Sequence, residues 1–438
     1  MALLSVTEYQ RIRVGEFDAS HDVLSVTSAQ AEILTNLKRT YGFEVFKYVN
    51  GKAISAQQYV GVHQLGSHTI EVLPKIDAAA SNVRRNLVAM LAETLELDIS
   101  AGEIARVGQQ SHGILEILVK LFCDKLFAQV HRGLVRRYEV REGNLSVLRG
   151  KLGVVEQVRL NGANPERLFC RYDEFLEDNP LNQVLKAAIR LLLKTSRELS
   201  NQRKLAELLL VFDEVTDFSV HALPWAKIAF DRMTDRYKPC FKLAELFLKR
   251  CPPDVTGGVV QGISLFFDMN VLFEEYIGRV AERAMRPDGF QVSLQGRNGN
   301  QRHVAVDSFN KSAFAMRPDV IGRRSGAIAW ILDTKWKTLS REEWRDGVSQ
   351  ADLYQMYAYA NCYHCARVIL LYPHHFELGD TPGVRGTYRL NPWATIEEKE
   401  PRLVLVASVD LGDLSTVMEQ LKKILVSESE MGLDCLAA

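Results

Sequence analysis

The alternation of apolar and polar residues in the first part of the chain predicts strands joined by tight turns. The segment FEVFKYVNGKAISAQQYVGVHQLGSHTIEVLPKI, residues 43–76, is rich in β-branched and aromatic residues. Asn50-Gly51 divides it into hairpins, because Asn-Gly between apolar runs favours a two-residue turn. Residues 78–97 and 113–134 instead carry apolar side chains three and four positions apart, which predicts two amphipathic helices.

The pattern returns to strands at residues 138–160 and to helices from Asn179 to about residue 211. Asn179 can cap the helix, and Pro180 suits its first turn. The segment CPPDVTGG, residues 251–258, contains two prolines and two glycines and is the best linker candidate. We therefore expect three parts: an N-terminal mixed β/α domain at 1–110, a helical region with an inserted β-hairpin at 111–252, and a C-terminal domain at 258–438.

Beyond the linker, the pattern predicts a sheet with flanking helices. Helices are predicted at 263–285, 342–362 and 414–427, and strands at 290–294, 303–309, 313–321, 327–336 and 367–372, followed by two weaker strands. This mixture is typical of an α/β unit. The expected fold class is a multidomain α/β (α+β) protein whose C-terminal part is a mixed sheet flanked by helices.

Size and charge narrow the choice of function. A chain of 438 residues exceeds what one hydrophobic core usually holds, which agrees with several domains. Its 54 basic residues balance 54 acidic ones, so no overall field draws it to nucleic acid or an anionic membrane. Binding to nucleic acid would need a partner or a local patch. The best patch is a basic cluster, for which solvated side chains are the plainer interpretation: Arg132, Arg136, Arg137, Arg141, Arg149 and Lys151.

The N-terminus and the cysteines indicate the compartment. Charged residues come too early for a signal peptide, and no apolar run approaches the ~20 residues that span a bilayer. The seven scattered cysteines favour reduced thiols, so we expect a cytoplasmic protein without membrane contact. Cys362 and Cys365, followed by His374 and His375, have a spacing that zinc sites use, but buried reduced cysteines are the favoured interpretation.

Three charged residues near the ends of two predicted strands carry the candidate chemistry. Asp319 ends one strand, and Asp333 and Lys335 lie near the end of the next, AIAWILDTKWK. Residues two apart share a face of a strand, so Asp333 and Lys335 should lie about 6.6 Å apart and point the same way. If the two strands pair, two carboxylates and one ammonium meet at one edge of the sheet. Solvated strand ends are the alternative interpretation.

This combination predicts a magnesium-dependent phosphodiester hydrolase. Mg²⁺ is usually held by one or two carboxylates with water and substrate phosphate, and Mn²⁺ accepts similar ligands. Asp319 and Asp333 would hold the ion, and Thr334 could lend a backbone carbonyl. Lys335 would hold the scissile phosphate and help to deprotonate the attacking water, with a pKa lowered by desolvation.

Two residues on predicted helices could support this site. Glu274, in VLFEEYIGRV, lies before the sheet and could supply a further oxygen at the metal through a bound water. Gln355, in DLYQMYAYA, lies on the helix after the Lys335 strand, with Tyr359 one turn further along the same face. Gln355 could orient phosphate or Lys335. An exposed glutamate and a glutamine that binds backbone are the plainer alternatives.

Taken together, these segments resemble the PD-(D/E)xK nuclease superfamily, and more closely the McrC family, the nuclease subunits of McrBC-type modification-dependent restriction systems. The resemblance spans most of the chain. The matching segments are YVGVHQLGSHTIEVLPKI at 59–76, LRGKL at 148–152, CRYDEFLEDNPLNQVLKAA at 170–188, LFEEY at 272–276, RPD at 317–319, LDTKWK at 332–337 and LYQMYAYA at 353–360.

The resemblance implies a restriction-endonuclease-like core in which Asp319, Asp333 and Lys335 are catalytic, with Glu274 and Gln355 in support. It implies a DNA endonuclease subunit of a GTP-dependent, type IV restriction system acting on DNA that carries modified bases. It also implies that the N-terminal part docks onto a separate AAA+ GTPase ring of the McrB type and stimulates its GTP hydrolysis.

GTP would then be bound by the partner. LRGKL has Leu152 where a Walker A motif needs Ser or Thr, so no nucleotide motor is expected in this chain. A non-catalytic scaffold that stimulates the GTPase with an idle nuclease site is the main rival function, and the intact acidic and lysine positions argue against it. A stand-alone DNA-binding regulator is disfavoured by the neutral charge and the lack of a known DNA-binding signature.

Overall fold

The chain forms two compact units. One combines residues 1–111 with 266–438, and the other comprises residues 112–265. The first and last of the three predicted parts therefore belong to the same unit. A computed structural model describes residues 3–15, 24–66, 68–99, 102–104, 113–164, 166–250, 253–256, 259–294, 301–340, 347–391 and 401–426.

The N-terminal part of the first unit is mainly strands. The elements are β1 (Leu3–Thr7), β2 (Arg11–Val14), β3 (Ser25–Val26), α1 (Ser28–Tyr41), β4 (Phe46–Val49), β5 (Ala53–Ala56), β6 (Tyr59–Leu65), β7 (His68–Leu73) and α2 (Ala80–Thr94). β1 runs parallel to β7, and β7 forms a hairpin with β6. The predicted Asn50-Gly51 turn joins β4 to β5, with φ of 52° and 67° at the two residues.

The second unit is helical with a small antiparallel sheet. Its elements are α3 (Ile114–Val130), β8 (Arg137–Leu145), β9 (Lys151–Leu152), α4 (Val154–Asn161), β10 (Leu168–Leu176), α5 (Pro180–Thr195), α6 (Leu199–Val211), α7 (Lys238–Arg250) and β11 (Pro253–Thr256). β10 pairs with β8 and β9. As predicted, Asn179 caps α5, because its side chain accepts a hydrogen bond from the Asn182 N–H at 3.2 Å.

The C-terminal part of the first unit carries the predicted mixed sheet. Its elements are the end of β12 (Val259–Asp268), then α8 (Met269–Met285), β13 (Gln291–Leu294), β14 (Arg302–Val306), β15 (Ser312–Met316), β16 (Val320–Arg324), β17 (Ala327–Thr334), α9 (Gln350–Cys362), β18 (Arg367–Pro373), β19 (Gly383–Arg389), β20 (Leu403–Val409) and α10 (Val417–Val426). Six strands pair in the order β13-β16-β17-β18-β20-β19, with β17, β18 and β20 parallel. The mixed α/β fold class is confirmed.

Two helices that flank this sheet begin at polar caps. The Asp268 side chain accepts a hydrogen bond from the Asn270 N–H at 2.9 Å and starts α8. The Ser349 hydroxyl accepts one from the Asp352 N–H at 3.1 Å and starts α9. Each cap satisfies a backbone donor that the first turn of a helix leaves free. α9 buries Met356 and neighbouring side chains in a core with β17 and β18.

Several predicted elements differ from the structure. In the run of strands predicted at 138–160, residues 154–161 form helix α4. Residues 263–268 end strand β12 and do not begin a helix, because a short apolar run has no periodicity that separates the two. The predicted strand at 313–321 divides into β15 and β16, since Pro318 has no N–H for a ladder. The helix predicted from 342 begins at Gln350, and residues 341–346 lie outside the described part.

Polar contacts join the two parts of the first unit. The Asn86 side chain on α2 donates hydrogen bonds to the Leu411 and Gly412 carbonyls, both at 2.8 Å. Arg283 on α8 pairs with Glu93 on α2 at 2.7 Å. Asn86 is buried, so these bonds satisfy an amide that would otherwise be costly to remove from water. The N-terminal residues are thus built into the body that carries the mixed sheet.

The described residues were compared with the requirements of a membrane-spanning helix and of a metal site. None of the helices among them combines the length and the apolar character that crossing a membrane requires. The same residues contain no group of three or more His, Cys, Asp or Glu side chains arranged to hold a metal ion. Cys365 is buried, and its thiol contacts the Arg367 carbonyl, while His374 contacts Ser408 and the Gly379 carbonyl.

A glycine and a tryptophan set the spacing of the central hairpin. The turn between β16 and β17 is Ser325-Gly326, with φ of 52° and 83°, and Gly322 lies within β16. A β-carbon at Gly322 would stand 2.1 Å from the Trp330 ring, which is fully buried. Only glycine therefore lets this ring lie flat against the neighbouring strand.

Gly322→Ala should destabilise the protein by about 1–3 kcal/mol, because the buried indole has no free space into which to move. The measurement is the free energy of unfolding from chemical denaturation. Gly15→Ala is the control, since in the described part of the chain, its sequence neighbours aside, no atom lies within 4 Å of the β-carbon it would add. Equal effects of the two substitutions would contradict the packing argument.

Candidate active site

Strand pairing brings the two predicted aspartates together. β16 and β17 are antiparallel, with Val320 opposite Leu332. The residues one step beyond this pair are Asp319 and Asp333, so both carboxyl groups lie at the same end of the hairpin. Asp333 is only 1 % exposed, and Asp319 is half-buried. The interpretation as solvated strand ends is therefore wrong for Asp333.

Thr334 fixes the carboxylate of Asp319. The Thr334 backbone N–H donates to Asp319 Oδ2 at 2.7 Å, and its hydroxyl donates to the same oxygen at 2.8 Å. Both bonds leave Asp319 Oδ1 available to another ligand. Thr334 thus contacts Asp319 through its backbone N–H and its hydroxyl. That its carbonyl binds a metal ion stays a prediction.

Lys335 forms an ion pair with Asp333, which lies on the same face of the chain. Its Nζ lies 2.5 Å from Asp333 Oδ2, and its backbone N–H donates to the Leu371 carbonyl at 2.8 Å. The lysine side chain is 19 % exposed, so the ammonium is accessible although the aspartate beneath it is not. A pair of this kind holds the lysine extended at the sheet edge.

Gln355 on α9 joins the same group. Its Oε1 accepts a hydrogen bond from Lys335 Nζ at 3.0 Å, and its Nε2 donates to Asp333 Oδ1 at 3.3 Å and to the Tyr359 hydroxyl at 2.8 Å. The Tyr359 hydroxyl donates in turn to the Arg317 carbonyl at 3.1 Å. The amide therefore orients both charged partners, as the helical spacing of Gln355 and Tyr359 predicted.

Burial dominates the electrostatics of the aspartates. It raises the pKa of Asp333 to about 7, and the neighbouring charge of Asp319 adds to this effect. Burial also raises the pKa of Asp319, against the opposing hydrogen bonds from Thr334. Two carboxyl groups that are hard to ionise together are suited to binding a cation, which removes the penalty for both charges.

The lowered pKa predicted for Lys335 is wrong for this arrangement. Burial disfavours its ammonium, but attraction to Asp333 and Asp319 outweighs that effect, so its pKa is raised above 10.5. The sequence did not show that the lysine would pair with an aspartate two residues away. Lys335 is therefore a cation at neutral pH, suited to binding an anion.

Glu274 lies on the helix that packs beside this hairpin. It is half-buried on α8, one turn before Gly278. A β-carbon at Gly278 would lie 3.4 Å from Val320, the residue after Asp319, so this face of the helix meets β16 closely. The described residues do not unite Glu274 with both aspartates in a group of three metal-binding side chains. Its supporting role stays a prediction.

The donor set fits a magnesium ion better than a softer metal. Asp319 and Asp333 offer hard carboxylate oxygens, and one or two carboxylates are what Mg²⁺ takes from a protein when a phosphate supplies other ligands. Asp333 Oδ2 is buried and, within the described residues, has the Lys335 ion pair but no hydrogen bond of regular geometry. It therefore retains lone pairs for a cation.

Sequence reasoning missed a second set of residues around the site. Asp352 on α9 is buried, pairs with Lys337 at 3.1 Å, and adds to the negative potential at Asp333. Trp336 is buried and donates its indole N–H to Glu8. The alternation of LDTKWK could have placed Trp336 on the inner face, but no local pattern signals a partner as distant as Glu8.

The predicted basic cluster is mostly paired with acids within the second unit. Arg136 pairs with Glu177 at 2.7 Å, and Arg141 and Arg149 both approach Glu174, at 3.7 and 3.2 Å. These arginines are about half exposed, as solvated surface pairs are. The plainer interpretation of the cluster thus holds for them.

Asp333→Asn tests the raised pKa of the buried carboxyl. A carboxyl whose folded-state pKa is raised stabilises the fold fully below its usual pKa of 3.8, and this contribution is lost as the pH rises through about 7. In metal-free buffer the variant should therefore gain Tm relative to the wild type between about pH 5 and about pH 8. A Tm difference that is constant with pH would exclude the raised pKa.

The fold and the sequence both have known counterparts. One chain of an assembly of Thermococcus gammatolerans McrB AAA+ hexamers with bound McrC is similar over 97% of this chain and 99% of that one, with a TM-score of 0.72 and 19% identity. A chain of the T. gammatolerans McrBC complex is similar over 65% of this chain and 88% of its own, with a TM-score of 0.54 and 23% identity. No curated protein sequence matches.

A family model also matches the sequence of this chain. Residues 54–373, well over half of the chain, match the model of the McrBC 5-methylcytosine restriction system component. The matched range includes the β6–β7 hairpin, the second unit and the Asp319–Asp333–Lys335 group. The chain therefore belongs to the McrBC 5-methylcytosine restriction system component family.

Proposed function

We propose that this protein is the DNA endonuclease subunit of a GTP-dependent, type IV restriction system and hydrolyses phosphodiester bonds with Mg²⁺. The observation that carries the proposal is the linked group of Asp319, Asp333, Lys335 and Gln355 at one end of the central hairpin, with Asp333 buried beneath the lysine. Burying two carboxylates costs stability unless a function needs them. A phosphate-bound Mg²⁺ would compensate that cost.

Each residue has a task that its contacts support. When bound, the ion would activate water and neutralise charge on the leaving oxygen. Asp319 and Asp333 would hold it, and Thr334 keeps one oxygen of Asp319 fixed. Lys335, protonated at neutral pH, would hold a phosphate oxygen and donate a hydrogen bond to the attacking water.

Gln355 would keep the lysine in place during this step. Its hydrogen bonds with Lys335 at 3.0 Å and with Asp333 at 3.3 Å support this role. Glu274 would accept a hydrogen bond from a metal-bound water at the edge of α8. Mn²⁺ should replace Mg²⁺, because it accepts the same oxygen ligands.

The partner in this proposal is an AAA+ GTPase ring of the McrB type. The structure with a TM-score of 0.72 belongs to an assembly of McrB AAA+ hexamers with bound McrC. The partner would bind GTP and select DNA with modified bases, and this chain would stimulate its GTP hydrolysis in the cytoplasm. The neutral charge of the chain agrees with delivery to DNA by a partner.

The second unit offers the better surface for that ring. Its small sheet and α4 expose large apolar side chains, among them Val155 at 75 % and Val158 at 72 %. Residues 1–110, which the sequence suggested for docking, expose fewer of this kind, chiefly Tyr9 and Tyr48 among those described. Contiguous exposed apolar residues mark interaction sites more often than scattered ones.

The rival function, a scaffold with an idle nuclease site, predicts a different outcome in one assay. Wild-type protein, the AAA+ GTPase, GTP and Mg²⁺ are mixed with methylated or unmethylated DNA, and cleavage and GTP turnover are measured together. Lys335→Ala should cut at least about a hundredfold more slowly, because a positioned charge at the phosphate is lost, and should leave GTP turnover unchanged.

The matched control is Lys38→Ala, which removes a surface lysine whose ion pair with Glu44 lies in the same unit. It should cut at the wild-type rate. If no combination cuts DNA while GTP turnover rises, the scaffold function is correct. If Lys335→Ala cuts as fast as the control, the site assignment is wrong.

Val155→Ser combined with Val158→Ser tests the docking surface. The double variant should bind the AAA+ ring at least about tenfold more weakly, because binding would no longer remove two valine side chains from water. Affinity is measured by titration of the labelled chain with the ring in GTP analogue. Leu199→Ser with Leu210→Ser, at 67 % and 76 % exposure on α6, is the control. Equal affinities of the two double variants would place docking elsewhere.

A further inference from the structure

A buried glutamate from the N-terminal part touches the strand end that carries the lysine. Glu8 follows β1 and is 3 % exposed. Its two oxygens accept the indole N–H of Trp336 at 3.0 and 3.2 Å, and its Oε2 also accepts the Lys75 backbone N–H at 3.1 Å. The Glu8 N–H donates to the Leu73 carbonyl at 3.0 Å. The carboxylate is thus held between β1 and the end of β7.

Trp336 connects this carboxylate with the candidate active site. It follows Lys335 directly in the chain and is buried. Its ring meets Phe273 on α8 edge to face, with centroids 5.3 Å apart, and Phe273 precedes Glu274. Trp336 lies two residues past the end of β17, whose pairing with β18 ends at Thr334. The side-chain contacts of the indole, with the hydrogen bond from the Lys337 N–H to the Lys335 carbonyl at 2.9 Å, therefore hold the chain after Lys335.

Stability alone does not account for an acid at this position. Burial raises the pKa of Glu8 to about 7, with opposing hydrogen bonds from Lys75 and Trp336 and repulsion from Asp268. The carboxyl therefore lowers the stability of the fold as the pH rises from about 4.5 through about 7. A cavity of about 240 Å³ also borders Glu8, Lys75 and Trp336, so the side chain does not fill a closed core.

We propose that Glu8 is a positioning residue for the nuclease site, which holds Lys335 in register with Asp333 and Gln355 by fixing the Trp336 indole. This inference rests on the proposed function. The hydrogen-bonded ring prevents the chain after β17 from rotating, and rotation there would carry the ammonium away from the phosphate. A misplacement of about 1 Å at a catalytic group can cost about a hundredfold in rate. The N-terminal part thereby completes the catalytic site.

The test compares Glu8→Ala, Glu8→Gln and Trp336→Phe in the full chain with its GTPase. Glu8→Ala and Trp336→Phe should each lower the single-turnover cleavage rate at least about tenfold, with little change in the DNA concentration for half-maximal rate. Glu8→Gln retains an acceptor for the indole and should restore most of the rate. Combining Glu8→Ala with Trp336→Phe should cost no more than either alone.

Glu71→Gln is the matched control. Glu71 is a fully buried carboxylate of the same unit that pairs with Arg84 at 2.7 Å and accepts from Ser5. Its loss should lower Tm at least as much as the loss of Glu8 does, while the cleavage rate stays within about twofold of wild type. If both Glu71→Gln and Glu8→Ala lower the cleavage rate in proportion to their loss of Tm, Glu8 only stabilises the fold and the proposal is overturned.

A second readout does not depend on cleavage. The rate of reductive methylation of the Lys335 amine, followed by mass spectrometry, should rise severalfold in Glu8→Ala and not in Glu71→Gln, because a misaligned lysine loses Asp333 and Gln355. An unchanged rate overturns the proposal for Glu8. Lys335→Ala in the cleavage assay decides the nuclease function separately: if it cuts like wild type, that function fails whatever the methylation rate shows.

Discussion

The attraction between Lys335 and two buried aspartates is the interaction on which the rest of this site depends. Asp333 is almost inaccessible to water, and Asp319 lies at the same end of the hairpin. Burial and the mutual repulsion of the two carboxylates disfavour their ionisation, and the ammonium 2.5 Å from Asp333 opposes both effects. When both carboxylates are ionised, the group carries one more negative charge than positive charge, which favours binding of a further cation.

The surrounding fold is organised to hold these three charges at fixed positions. Gly322 lets the ring of its pairing partner Trp330 lie against β16, and the register of the two strands shifts directly after Gly322. α9 supplies Gln355 from one side, with Tyr359 anchored on the Arg317 carbonyl. Preorganised contacts of this kind reduce the cost of aligning catalytic groups when substrate binds. The packing of the sheet therefore determines the geometry on which the proposed chemistry relies.

The sequence predicted the residues of the site better than their environment. The alternation in LDTKWK placed Asp333 and Lys335 on one face, and helical spacing placed Gln355 beside Tyr359. The opposite shift of the lysine pKa was not foreseen, because it depends on how deeply Asp333 is buried. The strand at 263–268 was also missed, since a short apolar run has the same composition in a strand and in a buried helix.

The sequence by itself determined the elements and their chemistry: the turn at Asn50-Gly51, the cap at Asn179, and the acidic and basic residues near the strand ends. These follow from local rules that act over a few residues. Only the tertiary structure decided that Glu8 meets Trp336, 328 positions away, and that residues 1–111 share a unit with 266–438. Contacts of that separation arise from burial of whole surfaces, which leaves no local pattern in the chain.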